Sequence, residues 1–346
     1  MSVSTARSTV LSPATDRIVR VLLVLLAIFP AVGQARAFLE MFGLPGDLDP
    51  WTDAWTYLAA GERLNAGHSL YGALVAGDRP VLVDPDFFYN GVRTALLSPP
   101  TIAAIWRPIA AVPFGFDLWI VAVWVAMLGA VAWLVYRAGI VGLLVAFALQ
   151  EPIGNQLAIA NVTAFFPLLL LVIWVHRRKP WIGAVVGLMA AIKIAPAAMF
   201  GWSRIIRSPR ALIWAGGSLV AIGAVVAVTV GIGAIGDYLR LAPSFRPSTL
   251  SLTGITGLPW LTFGVLIAGT LAAALIRNDA ISYIVAVATL VAGTPSLYHA
   301  GLVPLLAVAA PLMDTADSPL AWPRRLSPGQ AAAPQPVAVS AQAVGS

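Results

Sequence analysis

Long apolar blocks dominate the pattern of hydrophobic and polar positions along the chain. Runs such as VLLVLLAIFPAVG and LWIVAVWVAMLGAVAWLVY are apolar on all sides, whereas a helix of a soluble protein carries only an apolar stripe. The pattern therefore predicts an all-α polytopic membrane protein with about 10–11 transmembrane or half-membrane helices. The apolar segments lie at roughly 19–40, 94–113, 117–136, 139–152, 161–176, 181–193, 195–206, 211–235, 258–276, 280–293 and 299–313.

Several of these apolar segments are too short to cross a bilayer on their own. They contain about 13 residues, whereas a full crossing needs roughly 17–25. Half-length helices occur at membrane depth only where they pack against protein or line a cavity. The segment at 94–113 is interrupted by Arg107 and Pro108, and we expect it not to cross fully. A full crossing there is the alternative, and it would reverse the sidedness of the middle helices.

Composition supports the membrane assignment and removes several kinds of chemistry. Of the 346 residues, 59% are hydrophobic and 10% are charged, compared with about 45–50% and 25% in soluble domains. The chain has no cysteine, which excludes disulfides, thiol catalysis, iron–sulfur clusters and cysteine-bound zinc. The formal net charge is +6, but the basic residues are dispersed at helix ends. We therefore expect no nucleic-acid partner.

The basic residues predict how the chain is oriented in the cell membrane. The positive-inside rule assigns basic loops to the cytoplasm. It places the N-terminus there together with Arg137, Arg177, Arg178, Lys179, Arg204, Arg207, Arg210, Arg277, Arg324 and Arg325. We thus predict a multi-pass protein of the plasma (inner) membrane. The stretch 314–346 is rich in alanine, proline and glutamine without periodicity, which predicts a disordered cytoplasmic tail.

The N-terminal apolar run has two interpretations. Arg7, Arg17 and Arg20 precede an apolar stretch and an Ala-x-Ala motif, a combination that resembles a signal peptide. However, Pro30 interrupts the stretch, and Arg36 would lie inside the cleavage motif. We therefore predict a retained first transmembrane helix, so that 1–313 forms a single transmembrane domain.

The segment at 43–93 is soluble in character and acidic. It contains seven acidic residues against three arginines. Under the positive-inside rule, such a loop after the first helix lies on the extracytoplasmic side. The string WTDAWTYLAAGERLNAGHSLY has helical spacing, so we expect surface helices within this loop.

Under this topology, the unusual polar residues collect at the extracytoplasmic face. Besides the acidic loop, they comprise the connection Glu151–Asn161, the break at Lys193 and Pro196, the polar stretch 236–257 and His299. A charged residue at membrane depth is costly and by default marks a functional site. We therefore expect the active site at this face.

Four segments of the chain follow the order of a known family over roughly 50–313. They are WTDAWTYLAAGERLNAGHSLY, LLSPPTIAAIWRPIAAVPF, GAVVGLMAAIKIAPAAMFGWSRIIRSPRA and GTPSLYHAGLVPLLAVAAPL. They resemble glycosyltransferase family 87, the polyprenol-phosphate-mannose-dependent α-mannosyltransferases with the GT-C fold. Two positions depart from the family pattern. The chain reads Ala160-Asn161-Val162-Thr163 where the family often has Gly-Gln/Asn-x-Asn, and Thr249 replaces a common asparagine.

The resemblance implies a membrane glycosyltransferase. It would move mannose from a polyprenyl-phosphate-mannose donor to a lipid-linked or envelope glycan, with inversion to an α-linkage. We expect no cofactor, and no metal ion either, because the Asp-x-Asp spacing of Asp47 and Asp49 is a weak signal that no histidine cluster supports. The expected partners are the lipid-linked donor, a glycolipid or polysaccharide acceptor, and membrane lipids.

The resemblance also assigns expected roles to two residues. Asp53 is the expected general base, because a carboxylate accepts the proton of an attacking hydroxyl group. The alternative is structural, since aspartate is favoured near helix starts. Lys193 is expected to neutralise the donor phosphate, and snorkelling of its ammonium group to the membrane interface is the alternative.

Further candidates are less specific. His299 is expected to contact the acceptor or the phosphate, or else to be a hydrogen-bonded core residue. Arg240 and Arg246 are expected to bind phosphate or lipid headgroups, or else to be solvated loop residues. The secondary candidates are Asp47, Asp49 and Asn161.

Two other functions remain open at the level of sequence. A secondary transporter or lipid flippase predicts internal repeats and charges buried in the middle of helices, and neither is evident. An inactive partner in envelope assembly is suggested by the altered signature at Ala160–Thr163.

Overall fold

The computed structural model describes residues 12–41, 51–71, 88–89, 92–93, 96, 98–242, 248–295, 297–314 and 319–320. The helices are α1 Pro13–Met41, α2 Thr52–Asn65, α3 Thr101–Ala110, α4 Gly115–Ala138, α5 Ile140–Ala148, α6 Gln150–Ile159, α7 Phe165–Val175, α8 Ile182–Ile192, α9 Ser203–Ile206, α10 Pro209–Thr229, α11 Ile232–Leu241, α12 Leu252–Thr256, α13 Leu261–Leu275 and α14 Asp279–Ala292. The described ranges also contain the 3₁₀ segments η1 Val162–Ala164, η2 Ala195–Gly201 and η3 His299–Asp314. The strands β1 Phe88–Tyr89 and β2 Val92–Arg93 pair antiparallel.

Three of the described helices are long and apolar enough to cross a membrane, namely α1, α4 and α10. The pair α5 and α6, bent by 61°, qualifies as a fourth span. Shorter apolar helices occupy 162–175, 182–192, 261–275, 279–292 and 299–314. The prediction of an all-α polytopic membrane protein is confirmed, and the half-length segments are present as expected. Most of the predicted tail at 314–346 lies outside the described residues.

The segment predicted not to cross fully forms the short helix α3. Its ten residues rise about 15 Å, which is half the thickness of a bilayer core of about 30 Å. The helix lies against α2 of the loop, where the side-chain amide of Asn65 donates a 2.9 Å hydrogen bond to the Arg107 carbonyl. The Arg107 side chain donates to the Thr229 carbonyl at the end of α10.

Contacts between helix ends divide the molecule into two ends. Arg20 on α1 donates to the Tyr136 carbonyl near the end of α4 at 2.6 Å, and Arg177 pairs with Asp314 at 3.0 Å. We call this the basic end, because it gathers the described members of the predicted cytoplasmic set: Arg137, Arg177, Arg178, Lys179, Arg204, Arg207, Arg210 and Arg277.

The opposite end carries the loop, and we call it the loop end. Here the Trp119 indole, at the start of α4, donates a 2.9 Å hydrogen bond to the Ala160 carbonyl after α6. The helices α1 and α10 expose apolar side chains along their length, such as Phe29 (83%) and Val228 (85%). Such faces are stable only against lipid or another apolar surface.

The helices α8 and α10 approach closely through small residues. A Cβ atom at Gly183 would overlap the Ala211 carbonyl, and one at Gly187 would lie 2.6 Å from the Ala215 carbonyl oxygen. Small residues allow such contact between helix backbones in membranes, where van der Waals packing is a main source of association. This pairing fixes the position of α8, which ends at Ile192, directly before the predicted site residue Lys193.

We expect Gly183→Ala to destabilise the protein by about 1–3 kcal/mol, the usual cost of overpacking. The matched control is Gly216→Ala on α10, where a Cβ atom meets open space. That change should leave stability unchanged or raise it slightly, because alanine is the better helix former. Thermal unfolding of the purified proteins in one detergent measures both. Equal unfolding temperatures for the two variants would contradict the close packing.

The sidedness of the two ends is testable because the chain has no cysteine. Ser69→Cys places a thiol at an exposed position of the loop end, and Arg178→Cys places one at an exposed position of the basic end. If the loop faces outward, an impermeant maleimide should label the first variant in spheroplasts and the second only after lysis. The reverse pattern would overturn the predicted orientation.

Candidate active site

Asp53 is held at the start of α2 by an unusual backbone turn. Trp51, the residue before the helix, adopts a left-handed conformation with φ 59°. Its N–H donates a 2.7 Å hydrogen bond to the Ala158 carbonyl on α6. One turn further on, the Trp55 ring stacks on Phe116 of α4 at 3.9 Å between centroids. The loop helix is thereby fixed to the bundle immediately beside Asp53.

Asn161 follows a second left-handed residue, Ala160, with φ 53°. Trp51 and Ala160 are the two non-glycine residues with positive φ in the described part of the chain. Such conformations are unfavourable without glycine and persist where surrounding contacts enforce them, often at functional sites. The reversal at Ala160 turns the chain from α6 into η1, where Asn161 is the N-cap residue.

These two turns bring Asp53 and Asn161 into direct contact. The Asn161 Nδ2 atom donates a 2.6 Å hydrogen bond to Asp53 Oδ2. The Asn161 Oδ1 atom accepts from the Thr163 N–H at 2.8 Å and from the Thr163 hydroxyl at 2.6 Å. The Lys193 ammonium lies 3.4 Å from the same oxygen. A carboxylate, an amide and an ammonium group therefore stand in a row.

Lys193 reaches these two residues because the helical backbone is interrupted between α8 and η2. The helix ends at Ile192, and Lys193 itself is extended, with φ −143° and ψ 145°. Pro196 follows in the first turn of η2, where its missing N–H breaks no helical hydrogen bond. The side chain of Lys193 is half-buried.

One cleft contains all three residues. Its polar wall is formed by Asp53, Asn161, Thr163 and Lys193. The rest of the lining is mainly apolar and comes from η2, α14 and the start of η3, including Pro196, Leu290, Thr294, Tyr298, Gly301 and Pro304. Thr294 and Tyr298 were not among the predicted site residues, although both lie in the family-like segment GTPSLYHAGLVPLLAVAAPL.

The cleft changes the acidity of Asp53. Burial raises the pKa of its carboxyl group above the ordinary value, while the hydrogen bond from Asn161 and the charge of Lys193 act in the opposite direction. Burial disfavours the charged form of an acid, and hydrogen bonds or positive charges favour it. A carboxylate with a raised pKa is a stronger base, which suits proton abstraction as long as it stays ionised.

Other predicted residues lie outside this centre. The His299 Nδ1 atom is 3.3 Å from a Glu151 carboxylate oxygen, and His299 does not line the cleft although Tyr298 and Ala300 do. Arg240 is 79% exposed and 3.9 Å from Asp237. Asp47, Asp49 and Arg246 lie outside the described residues. The roles expected for these residues stay predictions.

Within the described ranges, no group of three or more histidine, aspartate or glutamate residues could hold a metal ion. Two acidic candidates, Asp47 and Asp49, fall outside those ranges. The expectation of a metal-free site therefore stays a prediction.

Fold and cleft together define an integral membrane protein with a polar site at one end of an apolar helical bundle. The family model of Glycosyltransferase family 87 matches residues 97–323, more than half of the chain. The chain belongs to this family, and it is a membrane glycosyltransferase. The match includes Asn161, Lys193 and His299 and begins after Asp53. No curated protein and no solved structure gives a significant match.

Proposed function

We propose that this glycosyltransferase moves mannose from polyprenyl-phosphate mannose to a lipid-linked or envelope glycan, forming an α-linkage with inversion. The observation that carries the proposal is the cleft in which Asp53 and Lys193 flank Asn161. A base and a cation are the two groups that sugar transfer from a lipid phosphate requires. The resemblance to the mannosyltransferases of the family supplies the sugar.

The proposed reaction assigns each group one task. An acceptor hydroxyl attacks the anomeric carbon and gives its proton to the Asp53 carboxylate. The bond between the anomeric carbon and the phosphate oxygen breaks, and polyprenyl phosphate leaves with the bonding electrons. Lys193 stabilises the charge that develops on this phosphate, which is electrostatic catalysis of the usual kind. Attack from the side opposite to a β-linked phosphate yields the α product.

A lipid-borne donor suits the surroundings of the cleft. Most of its lining is apolar, and η2, α14 and η3 contribute residues from short helices of the bundle. The sequence contains no glycine-rich phosphate loop of the kind that binds nucleotides. We therefore propose a polyprenyl chain in the membrane, a phosphate near Lys193 and a glycolipid or polysaccharide acceptor that enters from outside.

The altered family signature supports activity more than its loss. Ala160 and Thr163 replace the more usual residues, yet the side chains of Asn161 and Thr163 bond within the site, and Asn161 contacts Asp53 directly. A carboxylate that is held in the cleft by this contact favours an active enzyme over an inactive partner in envelope assembly. A transporter or flippase is the other alternative, and it predicts movement of lipid without any glycosidic product.

Asp53→Asn should abolish most of the transfer. The amide keeps the size of the side chain but cannot accept the proton, and a positioned general base contributes typically about 10²–10⁴-fold. Donor binding should change little, because other residues hold the phosphate. The measurement is transfer of radiolabelled mannose from polyprenyl-phosphate mannose by purified protein, together with donor binding. Full activity of the variant would remove the proposed mechanism.

The matched controls are Asp47→Asn and Asp49→Asn in the same loop. Each should cost about tenfold or less, since only one carboxylate serves as the base. Equal losses in all three variants would point instead to a metal site or a structural carboxylate cluster.

Lys193→Ala should lower kcat/KM for the lipid-phosphate donor by about 10²-fold, the scale of losing one group that stabilises the transition state. Lys193→Arg should keep part of the activity, because charge matters more here than a particular geometry. Steady-state kinetics with varied donor concentration separates the two variants. If Lys193→Ala transfers at the wild-type rate, the lysine only snorkels.

A further inference from the structure

We propose that Asn161 is a positioning residue that holds the Asp53 carboxylate by one oxygen and links it to Lys193. The inference deepens the proposed function, because it assigns to a third residue the control of the base. Asn161 itself neither accepts a proton nor contacts the leaving phosphate. It acts through Asp53 and Lys193, the two residues that its side-chain amide contacts.

The orientation of the Asn161 amide follows from its neighbours. The Thr163 backbone N–H is a donor only, so the Asn161 atom at 2.8 Å from it must be the oxygen. The Lys193 ammonium, also a donor only, faces the same atom at 3.4 Å. The amide nitrogen is therefore turned to Asp53, and a carboxylate is a suitable acceptor for it. Three contacts agree on one orientation, and a flipped amide would satisfy none of them.

A buried glutamine, Gln156, contacts both Asn161 and Thr163. Gln156 is fully buried, and its Nε2 atom donates a 2.6 Å hydrogen bond to the backbone carbonyl oxygen of Asn161. The Gln156 oxygen lies 3.3 Å from the Thr163 hydroxyl, which donates over the shorter distance of 2.6 Å to Asn161. Buried polar groups of this kind restrict a site to one geometry when all members are bonded. The amide thus has little freedom to follow Asp53 if the carboxylate moves.

The bond to Asn161 leaves one carboxylate oxygen available. Among the described residues, Asp53 accepts its hydrogen bond through Oδ2, and Oδ1 has no such partner. An acceptor hydroxyl can therefore reach Oδ1 while Oδ2 stays fixed. In the proposed reaction, the amide selects which oxygen takes the proton.

The charged and titratable groups near Asp53 are few in the described ranges. Lys193 acts on it from the α8–η2 connection, Tyr57 lies on its own helix, and Tyr298 lines the same cleft from the segment before η3. On the α6 and η3 side, Glu151 and His299 pair with each other. The Asn161 hydrogen bond favours the ionised carboxylate. Its removal must raise the pH at which Asp53 loses its proton.

The test is an infrared titration of purified protein, which needs no substrate. The carboxyl band that disappears in Asp53→Asn identifies Asp53. In Asn161→Ala, the midpoint of this band should shift upward by about one pH unit. Asn161→Asp keeps the acceptor but adds a like charge, so its shift should be larger. The control Asn155→Ala removes an amide from α6, the helix before Asn161, outside this network and should titrate as wild type.

Thr163→Val provides a milder change if Asn161→Ala does not fold. It removes the hydroxyl and keeps the backbone N–H, so a smaller upward shift is expected. An unchanged midpoint in Asn161→Ala, or in Thr163→Val where the former does not fold, would overturn the inference.

Activity gives the second readout. The acid limb of the kcat/KM profile for mannose transfer should move to higher pH in Asn161→Ala, since the base must be ionised, and transfer should recover partly at alkaline pH. A merely structural role would lower the rate equally at every pH. Absence of transfer by the wild-type protein would contradict the proposed function, while the titration midpoints would still decide the role of Asn161.

Discussion

The hydrogen bond from the Asn161 amide to the Asp53 carboxylate connects the two parts of the molecule that form the site. Asp53 belongs to a helix of the loop, and Asn161 belongs to the bundle. Asp53 lies two residues after Trp51, and Asn161 follows Ala160 directly; Trp51 and Ala160 both have a left-handed backbone. The strain at these residues, of order 1–3 kcal/mol each, is offset by the hydrogen bonds and aromatic contacts that fix the same turns. A polar contact between the loop and the bundle thus determines where the loop docks.

The membrane fold could be predicted because the bilayer imposes a strict constraint. Helices must satisfy their own backbone in lipid, so the apolar blocks around 117–136 and 211–235 translate directly into α4 and α10. The basic residues at one end follow from the same pattern. Each connection between two apolar segments lies on one face of the membrane, and the basic connections lie on the same face. The helix α3 continues through Arg107 and Pro108 to Ala110, and the expectation that the segment 94–113 does not cross fully stays a prediction.

The geometry of the site could not be read in the same way. The string Ala160-Asn161 by itself does not reveal a left-handed alanine, because tertiary contacts enforce this conformation. The one indication was the glycine that the family often has at this position, since glycine adopts positive φ readily. Asn161 was therefore only a secondary candidate, although the structure puts it between Asp53 and Lys193. Conversely, His299 stood out as a polar residue beside an apolar segment, and its side chain is directed to Glu151.

The linear arrangement of the three residues also explains how the proposed reaction can run at low dielectric. Before transfer, Asp53 is negative, Lys193 is positive, and the donor phosphate carries one negative charge. After transfer, Asp53 holds the proton, and the departing phosphate carries the second negative charge. The total charge of the cleft is unchanged, which matters because uncompensated charge in such surroundings is very costly. Negative charge moves from the base to the phosphate while the ammonium group, held at the amide of Asn161, stays close to both. An amide suits the position between them because it binds both partners and carries no charge of its own.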